Sequence, residues 1–283
     1  MSILTRTELF QINCLWVGTS LRWLEVACIL SMQRAGHAVR LWVYDPVANV
    51  PAGTEIADAN EVLPRERLLF HRKTGSPALG SDIFRFELMR QGLGMWLDLD
   101  MLLLQSIPRT EQPVFGFQDR DLINGAALYI PQGPMLADLC AFAQQRYPIP
   151  PFFRIRKRAS LRLRKAVGRP KDATMMSWGV FGPSAITYFA RKHGLDRSAL
   201  DIPYFYPIPT AEALVPFQTS GDVGQYVRPE TIGIHLWNEM LGKLEGPERG
   251  SFFDVFVREE LGLRNSPPIP AGQVGRVVSS RYA

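Results

Sequence analysis

Two aspartates in an apolar stretch are the residues of this chain whose types and spacing point most directly to chemistry. The stretch GMWLDLDMLLLQ (94–105) places Asp98 and Asp100 on either side of a leucine. Side chains alternate between the two faces of a strand, so a strand here puts both carboxylates on one face. Charged groups are costly to bury without partners, and neighbouring carboxylates disfavour each other's ionisation unless a cation lies close by.

This conflict has two interpretations. A hard divalent cation such as Mg²⁺ or Mn²⁺ takes oxygen ligands and would relieve the repulsion between Asp98 and Asp100. Ligands of open α/β sheets bind beyond the carboxyl ends of the strands, where the predicted strand 95–99 ends. The alternative is a surface strand end whose acids are solvated or paired with arginine. Upstream, Asp82 and Arg85 share one face of a predicted helix, where they would grip a polar ligand or pair with each other.

The elements that position these residues follow an alternation of strands and helices. Apolar strands over 11–18 and 38–45 enclose a helix over 21–35 that closes at Gly36, and this β-α-β start predicts a parallel sheet. Later patterns predict strands near 55–57 and over 95–99, 113–118 and 122–130, helices over 78–92, 133–146, 154–169 and 183–193, and a short strand or turn over 233–238.

The composition is typical of a soluble globular protein. The 283 residues are 46% hydrophobic and 21% charged, and the three cysteines show no C-x-x-C spacing. Sparse cysteines favour neither a disulfide framework nor a zinc site and fit a reducing cytoplasm. No apolar run reaches the roughly 20 residues of a membrane span, and no secretory signal is evident. We expect one α/β domain over 1–264 and a disordered Pro/Gly/Ser-rich tail over 265–283.

The pattern around the two aspartates resembles the sugar-binding region of a family of retaining glycosyltransferases. SDIFRFELMRQGLGMWLDLDMLLLQSIP is similar to that region in yeast-type α-1,6-mannosyltransferases, bacterial capsular-polysaccharide transferases and the catalytic domains of clostridial glucosylating toxins. The family pattern is S-D-x-x-R-Y, then Y-G-G-x-Y, then x-D-x-D. The residues that match it are Ser81, Asp82, Arg85, Gly94, Asp98 and Asp100. Leu93 and Trp96 replace the family's first Gly and its Tyr. Later in the chain, FGPSAIT is similar to the family's T-G-P-x-x-L-T, with Phe181 in place of the first Thr.

This resemblance implies a GT-A-type, Rossmann-like α/β fold with a mixed, mostly parallel sheet flanked by helices. It implies Mn²⁺ or Mg²⁺, a UDP- or GDP-sugar donor, a glycan, lipid-linked or protein acceptor, and retention of the anomeric configuration. Asp100 would be the direct metal ligand. Asp98 would contact the ribose or sugar hydroxyls and the water molecules of the metal. Asp82 and Arg85 would hold sugar hydroxyls, so these four residues form the implied catalytic set.

The resemblance nominates further donor-binding residues. In CLWVGTSL, Trp16 corresponds to a Trp that stacks on the nucleotide base, although a core Trp is the alternative. In INGAALYIP, Asn124 corresponds to an Asn that approaches the sugar, although Asn-Gly also forms turns. GIHLWN resembles the segment that closes the site. It nominates His235 as a metal or diphosphate contact and Trp237 and Asn238 as donor contacts, with a packed or surface histidine as the alternative.

A basic segment over 154–171 stands apart from the rest of the chain. It holds nine Lys/Arg and no acid, so with a net charge of +5 the remaining residues carry −4. This distribution argues against a nucleic-acid binder, which needs a wider basic face. Apolar residues at steps of four predict an amphipathic helix: Ile155, Ala159, Leu163 and Val167. The segment would be a solvated helix or loop, a helix at an anionic membrane surface, or a contact for the diphosphate or an acidic acceptor. We expect a cytoplasmic protein; the alternative is a peripheral position at the inner membrane surface.

Two other functions compete with glycosyl transfer. Haloacid-dehalogenase-type phosphatases also place a D-x-D after an apolar strand and use an aspartyl nucleophile. Their D-x-D stands near the start of the domain and requires a later Lys and another acidic pair. Here the D-x-D follows nearly a hundred residues, and no later Asp-Asp pair is present. The second alternative is a degenerate transferase that binds a nucleotide sugar without turnover. The intact Asp82, Arg85, Asp98 and Asp100 argue against such decay.

Overall fold

The α/β architecture is described by a computed structural model over residues 8–242 and 244–263. A mostly parallel, mixed six-stranded sheet is flanked by helices, as the sequence predicts. The predicted tail, 265–283, lies outside the described residues, and a single domain over 1–264 stays a prediction.

Eight short strands within the described residues form two sheets. They are β1 (Ile12–Trp16), β2 (Val39–Val43), β3 (Glu55–Asp58), β4 (Met95–Leu97), β5 (Met101–Leu103), β6 (Val114–Phe117), β7 (Ile123–Tyr129) and β8 (Gly233–His235). The main sheet has the order β3-β2-β1-β4-β7-β6. Its first four strands are parallel, and β7 runs antiparallel to both of its neighbours. β5 and β8 form a separate antiparallel pair.

Eight α-helices accompany these strands in the described part of the chain. They are α1 (Trp23–Arg34), α2 (Ala78–Arg90), α3 (Pro134–Ala143), α4 (Ile155–Ala166), α5 (Pro183–Lys192), α6 (Ile202–Phe205), α7 (Asn238–Leu241) and α8 (Phe252–Glu259). The five helices that the sequence predicts are confirmed, each somewhat shorter than expected, whereas α6, α7 and α8 were not predicted. Past the end of α1, Gly36 adopts φ +90°, a conformation that glycine reaches without steric cost.

Alternation along the strands divides the core between the two faces of the main sheet. Ile12 and Leu97 belong to the apolar cluster that contains α1, whereas Trp42 and Trp96 belong to the cluster that contains α2, α3 and α5. Burial on both faces is the pattern of a parallel sheet covered by helices. The three cysteines are free and buried. Within the described ranges, no helix combines the length and apolar character that a membrane span requires.

The segment that carries the two aspartates is not a single strand. β4 ends at Leu97, and the chain then turns, with the Met101 N–H donating to the Asp98 carbonyl at 3.0 Å. Beyond the turn, β5 leaves the main sheet and pairs with β8, more than a hundred residues later. The predicted strand over 95–99 is therefore wrong at its carboxyl end, and a turn, not strand alternation, sets the directions of the two carboxylates.

Candidate functional site

The candidate site lies where the strand order of the main sheet reverses. β2 and β3 extend from one side of β1, and β4 lies on its other side, parallel to it. Asp98 directly follows β4, so it lies at the carboxyl edge at this switch point, where open α/β sheets bind ligands. A cavity of about 650 Å³ opens here, a size that suits a small-molecule ligand.

The cavity brings together all but one of the predicted site residues. Those that line it are Asp82, Arg85, Asp98, Asp100, Asn124, His235, Trp237 and Asn238. Trp16 is not among its lining residues, although it ends β1 at the same sheet edge; its ring packs against the core. Stacking of Trp16 on a nucleotide base therefore stays a prediction.

Arg85 organises one wall of the cavity from a buried position on α2. Its Nη2 lies 3.1 Å from Asp98 Oδ1 and 3.6 Å from Asp82 Oδ1. Its Nη1 donates to the carbonyl of Gly125 at 2.5 Å. A buried guanidinium needs such partners because an unpaired buried charge is strongly destabilising. The arginine thus holds two carboxylates from different elements in fixed positions.

Trp96, which departs from the family pattern, contacts both charged partners of this wall. Its indole Nε1 donates to Asp98 Oδ1 at 2.6 Å. The Arg85 guanidinium lies over its ring, 4.9 Å from the ring centroid, in a cation–π contact. Sequence reasoning treated this residue only as a departure from a Tyr, so the support that it gives to Asp98 was missed.

Two glycines allow the charged pair to pack against bare backbone. A Cβ at Gly182 would lie 2.6 Å from Asp82 Oδ1, and a Cβ at Gly125 would lie 2.7 Å from Arg85 Nη1. Any larger residue would displace these side chains. Both glycines stand in segments that the resemblance marked, FGPSAIT and INGAALYIP, and this was the available signal for them.

Asp98, Asp100 and His235 form a cluster that could hold a metal ion. One potential ligand atom from each lies within 4.8 Å of the other two. His235 Nε2 lies 3.3 Å from Asp100 Oδ1, because β5 and β8 pair Met101 with His235. The Asn238 N–H donates to Asp100 Oδ2 at 3.0 Å. His235 Nδ1 is buried and has no hydrogen-bond partner among the described residues.

The carboxylates of the site differ in their affinity for protons. Burial raises the pKa of Asp82 to about 7, although Arg85 opposes this rise. Burial also raises the pKa of Asp98, against the opposing charge of Arg85 and with the added repulsion of Asp100. For Asp100, burial is outweighed by His235 and by the Asn238 N–H, which together hold its pKa below its usual value. Perturbed carboxylates in a cleft are typical of functional sites.

The predicted donor contacts in the last segment have structural partners of their own. Trp237 has φ 52°, an uncommon left-handed conformation for a bulky residue, and its Nε1 donates to the Ile208 carbonyl at 2.8 Å. Its ring packs on the His235 imidazole with centroids 4.1 Å apart. The Asn238 side chain accepts a hydrogen bond from Arg22 Nη2 at 3.0 Å. These contacts position His235 and the Asn238 N–H. Contacts of the Trp237 and Asn238 side chains with a nucleotide-sugar donor stay predictions.

The cavity also has lining residues that sequence reasoning missed. Trp178 is exposed in a loop before α5, and its ring meets His71 edge-on with centroids 6.3 Å apart. Gln118 also lines the cavity, and its Oε1 accepts a hydrogen bond from Asn124 Nδ2 at 2.6 Å. Sequence reasoning had no signal for Trp178, because its neighbours in ATMMSWGVFG (173–182) are mostly apolar and gave no reason to expect an exposed Trp. His71 and Gln118 offered none either.

Comparison with known proteins does not assign this chain to a family. No family model matches the chain, and no curated protein matches it. The fold and the site therefore define the class: an α/β protein with an acidic cavity at the switch point of its sheet and an Asp-Asp-His cluster that could hold a metal ion.

Proposed function

We propose that this protein is a metal-dependent retaining glycosyltransferase of the GT-A type. It would transfer a hexosyl group from a UDP- or GDP-sugar to a glycan, lipid-linked or protein acceptor. One observation carries the proposal: Asp98 belongs both to the wall formed by Asp82 and Arg85 and to the cluster formed with Asp100 and His235. A wall that would bind the sugar and a cluster that would bind the cation, joined through Asp98, suit a ligand with a sugar joined to a diphosphate.

The residues of the cluster fit a divalent cation. Two carboxylates and one imidazole are acceptable ligands for Mn²⁺, and the His235 nitrogen that lies beside Asp100 is Nε2. A cation held by Asp98, Asp100 and His235 would neutralise the diphosphate as the bond to the sugar breaks. The low pKa of Asp100 keeps this ligand ionised at neutral pH.

The wall formed by Asp82 and Arg85 would orient the sugar. Asp82 and Arg85 offer an acceptor and several donors to the sugar hydroxyls, and the fixed position of Arg85 lowers the entropic cost of alignment. The hydrogen bond from Trp96 would keep Asp98 directed towards both the sugar and the cation. By analogy with the family, the acceptor attacks from the face that the leaving phosphate vacates, through an oxocarbenium-like state. We assign no residue as a covalent nucleophile.

The competing functions fit this cavity less well. A haloacid-dehalogenase-type phosphatase would use Asp98 as its nucleophile and needs a lysine close to it. No lysine lines the cavity among the described residues, although that mechanism uses one. A degenerate transferase would tolerate loss of the charged residues, whereas here four of them converge, which favours an active enzyme.

Release of nucleotide from a panel of UDP- and GDP-sugars tests the proposal. We expect release from at least one donor with Mn²⁺ or Mg²⁺, no release with a chelator, and at least a 100-fold loss in Asp100→Asn. Asp201→Asn, an exposed carboxylate outside the cavity, is the matched control and should keep full activity.

Three results would overturn the proposal. Release that persists in Asp100→Asn would separate the activity from the cluster. Hydrolysis of phosphomonoesters without nucleotide-sugar turnover would indicate the phosphatase. Tight donor binding without release, across donors and candidate acceptors, would indicate the degenerate transferase.

A further inference from the structure

Helix α4 turns an apolar stripe towards solvent. Leu161 is buried and anchors the helix to the core, whereas Ile155 and Leu163 are 74% and 65% exposed. With about 3.6 residues per turn, Ile155, Ala159 and Leu163 fall on one side of the helix and Leu161 on roughly the opposite side. The apolar periodicity in the sequence therefore does not mark the core face. It marks an outer face that the protein leaves uncovered.

Basic side chains surround this stripe. Arg162 and Arg164 fall on its two sides, and both are exposed. Across the described residues, none of the nine cations of 154–171 forms an ion pair with a carboxylate. Exposed basic groups without acidic partners leave their full charge available to an external anion.

The basic surface continues towards the rim of the cavity. Partial burial lowers the pKa of Lys171, and the charges of Lys157, Arg164 and Lys73 add to this effect, which shows that these cations from separate segments lie near one another. Lys73 belongs to the loop that carries His71, a lining residue of the cavity.

Exposed apolar side chains follow the same path. The Arg72 N–H donates to the Thr174 carbonyl at 3.0 Å, which joins the loop of Phe70 to the loop of Met175 and Trp178. Six of the seven large apolar residues that are exposed in the described chain lie on α4, at its end or in these two loops, and Ile56 is the exception. The six are Phe70, Ile155, Leu163, Val167, Met175 and Trp178.

We propose that α4 and the neighbouring rim loops dock on an anionic phospholipid bilayer, with the mouth of the cavity held near the lipid surface. A basic helix with an exposed apolar face is suited to the boundary between headgroups and acyl chains. Anionic lipids attract such clusters of Lys and Arg. A second copy of the chain is a poor occupant because two such helices repel each other. A nucleic acid would leave Ile155 and Leu163 uncovered. Under the proposed function, this contact would present a lipid-linked acceptor to the site.

Vesicle binding tests the proposal without any measurement of activity. Purified protein is sedimented with vesicles of phosphatidylcholine alone or mixed with phosphatidylglycerol. We expect binding to the mixed vesicles that weakens with salt, and at least a tenfold weaker partition to phosphatidylcholine. Each basic residue near an anionic surface contributes on the order of fivefold, so Arg162→Glu/Arg164→Glu should lower the partition coefficient by at least about 30-fold. Arg197→Glu/Arg249→Glu changes the net charge equally at exposed sites outside α4 and the rim loops and should retain most of the binding.

The apolar stripe has its own pair of variants. Ile155→Ser/Leu163→Ser should weaken binding to mixed vesicles at least tenfold, whereas Ile56→Ser, at the exposed apolar residue away from this surface, should not. Trp178 is the one exposed residue among the six tryptophans, so its fluorescence reports directly on the rim. Brominated lipids should quench the protein, and Trp178→Phe should remove most of that quenching.

Several results would overturn the proposal. They are equal binding to neutral and anionic vesicles, full binding by either α4 variant, and quenching that survives Trp178→Phe. If the protein releases nucleotide but does not bind vesicles, only the proposed docking surface is refuted. If it binds vesicles but releases no nucleotide, only the proposed function is refuted.

Discussion

Replacement of Asp82 by asparagine should change how stability depends on pH. The pKa of this buried carboxyl rises from its ordinary value of 3.8 to about 7, so the folded protein holds a proton that the unfolded chain releases near pH 4. Its contribution to the free energy of unfolding is present in full below pH 3.8 and is lost as the pH rises to 7. Each pH unit of this gap corresponds to about 1.4 kcal/mol, which gives about 4 kcal/mol over the whole window.

Urea unfolding at a series of pH values measures this difference. The wild-type protein and Asp82→Asn are compared with a chelator present, so that no metal ion alters the site. The free energy of unfolding of the variant should rise relative to the wild type by up to about 4 kcal/mol between pH 4 and pH 8, mostly below pH 7. Asp201→Asn controls for the loss of one surface charge. If the free energies of unfolding of Asp82→Asn and the wild type differ by the same amount at every pH in this range, the claim that Asp82 is buried and holds a proton is refuted.

Two substitutions test the support of the site under the proposed function. Trp96→Phe removes the hydrogen bond to Asp98, and because bonds to charged groups contribute about 1.5–3 kcal/mol, kcat/KM for nucleotide release should fall roughly 10- to 100-fold. Trp42→Phe removes another buried indole bond outside the cavity and should leave kcat/KM unchanged, and equal losses in the two variants would contradict the role of Trp96. Gly182→Ala places a methyl group against Asp82 and should lower kcat/KM at least tenfold without a change of charge; unaltered kinetics would show that Asp82 need not keep its position.

The order of elements followed from local sequence patterns. Apolar runs that end at Gly36 or at Asp45-Pro46 marked a β-α-β unit, and the structure has β1, α1 and β2 there. Such patterns are local because burial on both faces of a strand, or on one face of a helix, is encoded by neighbouring residues. The parallel sheet then follows from the handedness and length of the connections.

The turn at Asp98 could not be read from the same patterns. Leu99 and the apolar run 101–103 look like a continuation of β4. The break depends on the pairing of β5 with β8, and that pairing joins residues far apart in the sequence. The convergence of the two carboxylates was still predicted, although the reason was wrong, because a tight turn and a strand can both direct them to one side.

The contacts that support the site could not be predicted from the sequence because they depend on three-dimensional proximity. Trp96 was noticed only as a substitution, yet its Nε1 reaches the carboxylate that defines the site. Gly182 was one residue of a loosely matching segment, and no local sequence pattern indicates that its Cα lies against Asp82. The apolar periodicity of α4 was read correctly, but periodicity alone does not say whether a stripe faces core or solvent. Only the burial of Leu161 decides this.

The most direct test of the central claim is whether Mn²⁺ and a nucleoside diphosphate bind to one site. Calorimetry would measure the Mn²⁺ affinity of the protein alone and at saturating UDP or GDP, with corrections for Mn²⁺ bound by free nucleotide. We expect one ion per chain, at least a tenfold gain in affinity with one of the two nucleotides, and a reciprocal gain for that nucleotide. Both effects should vanish in Asp100→Asn and persist in Asp201→Asn. An Mn²⁺ affinity that neither nucleotide changes would contradict a nucleotide-sugar site built on Asp98, Asp100 and His235.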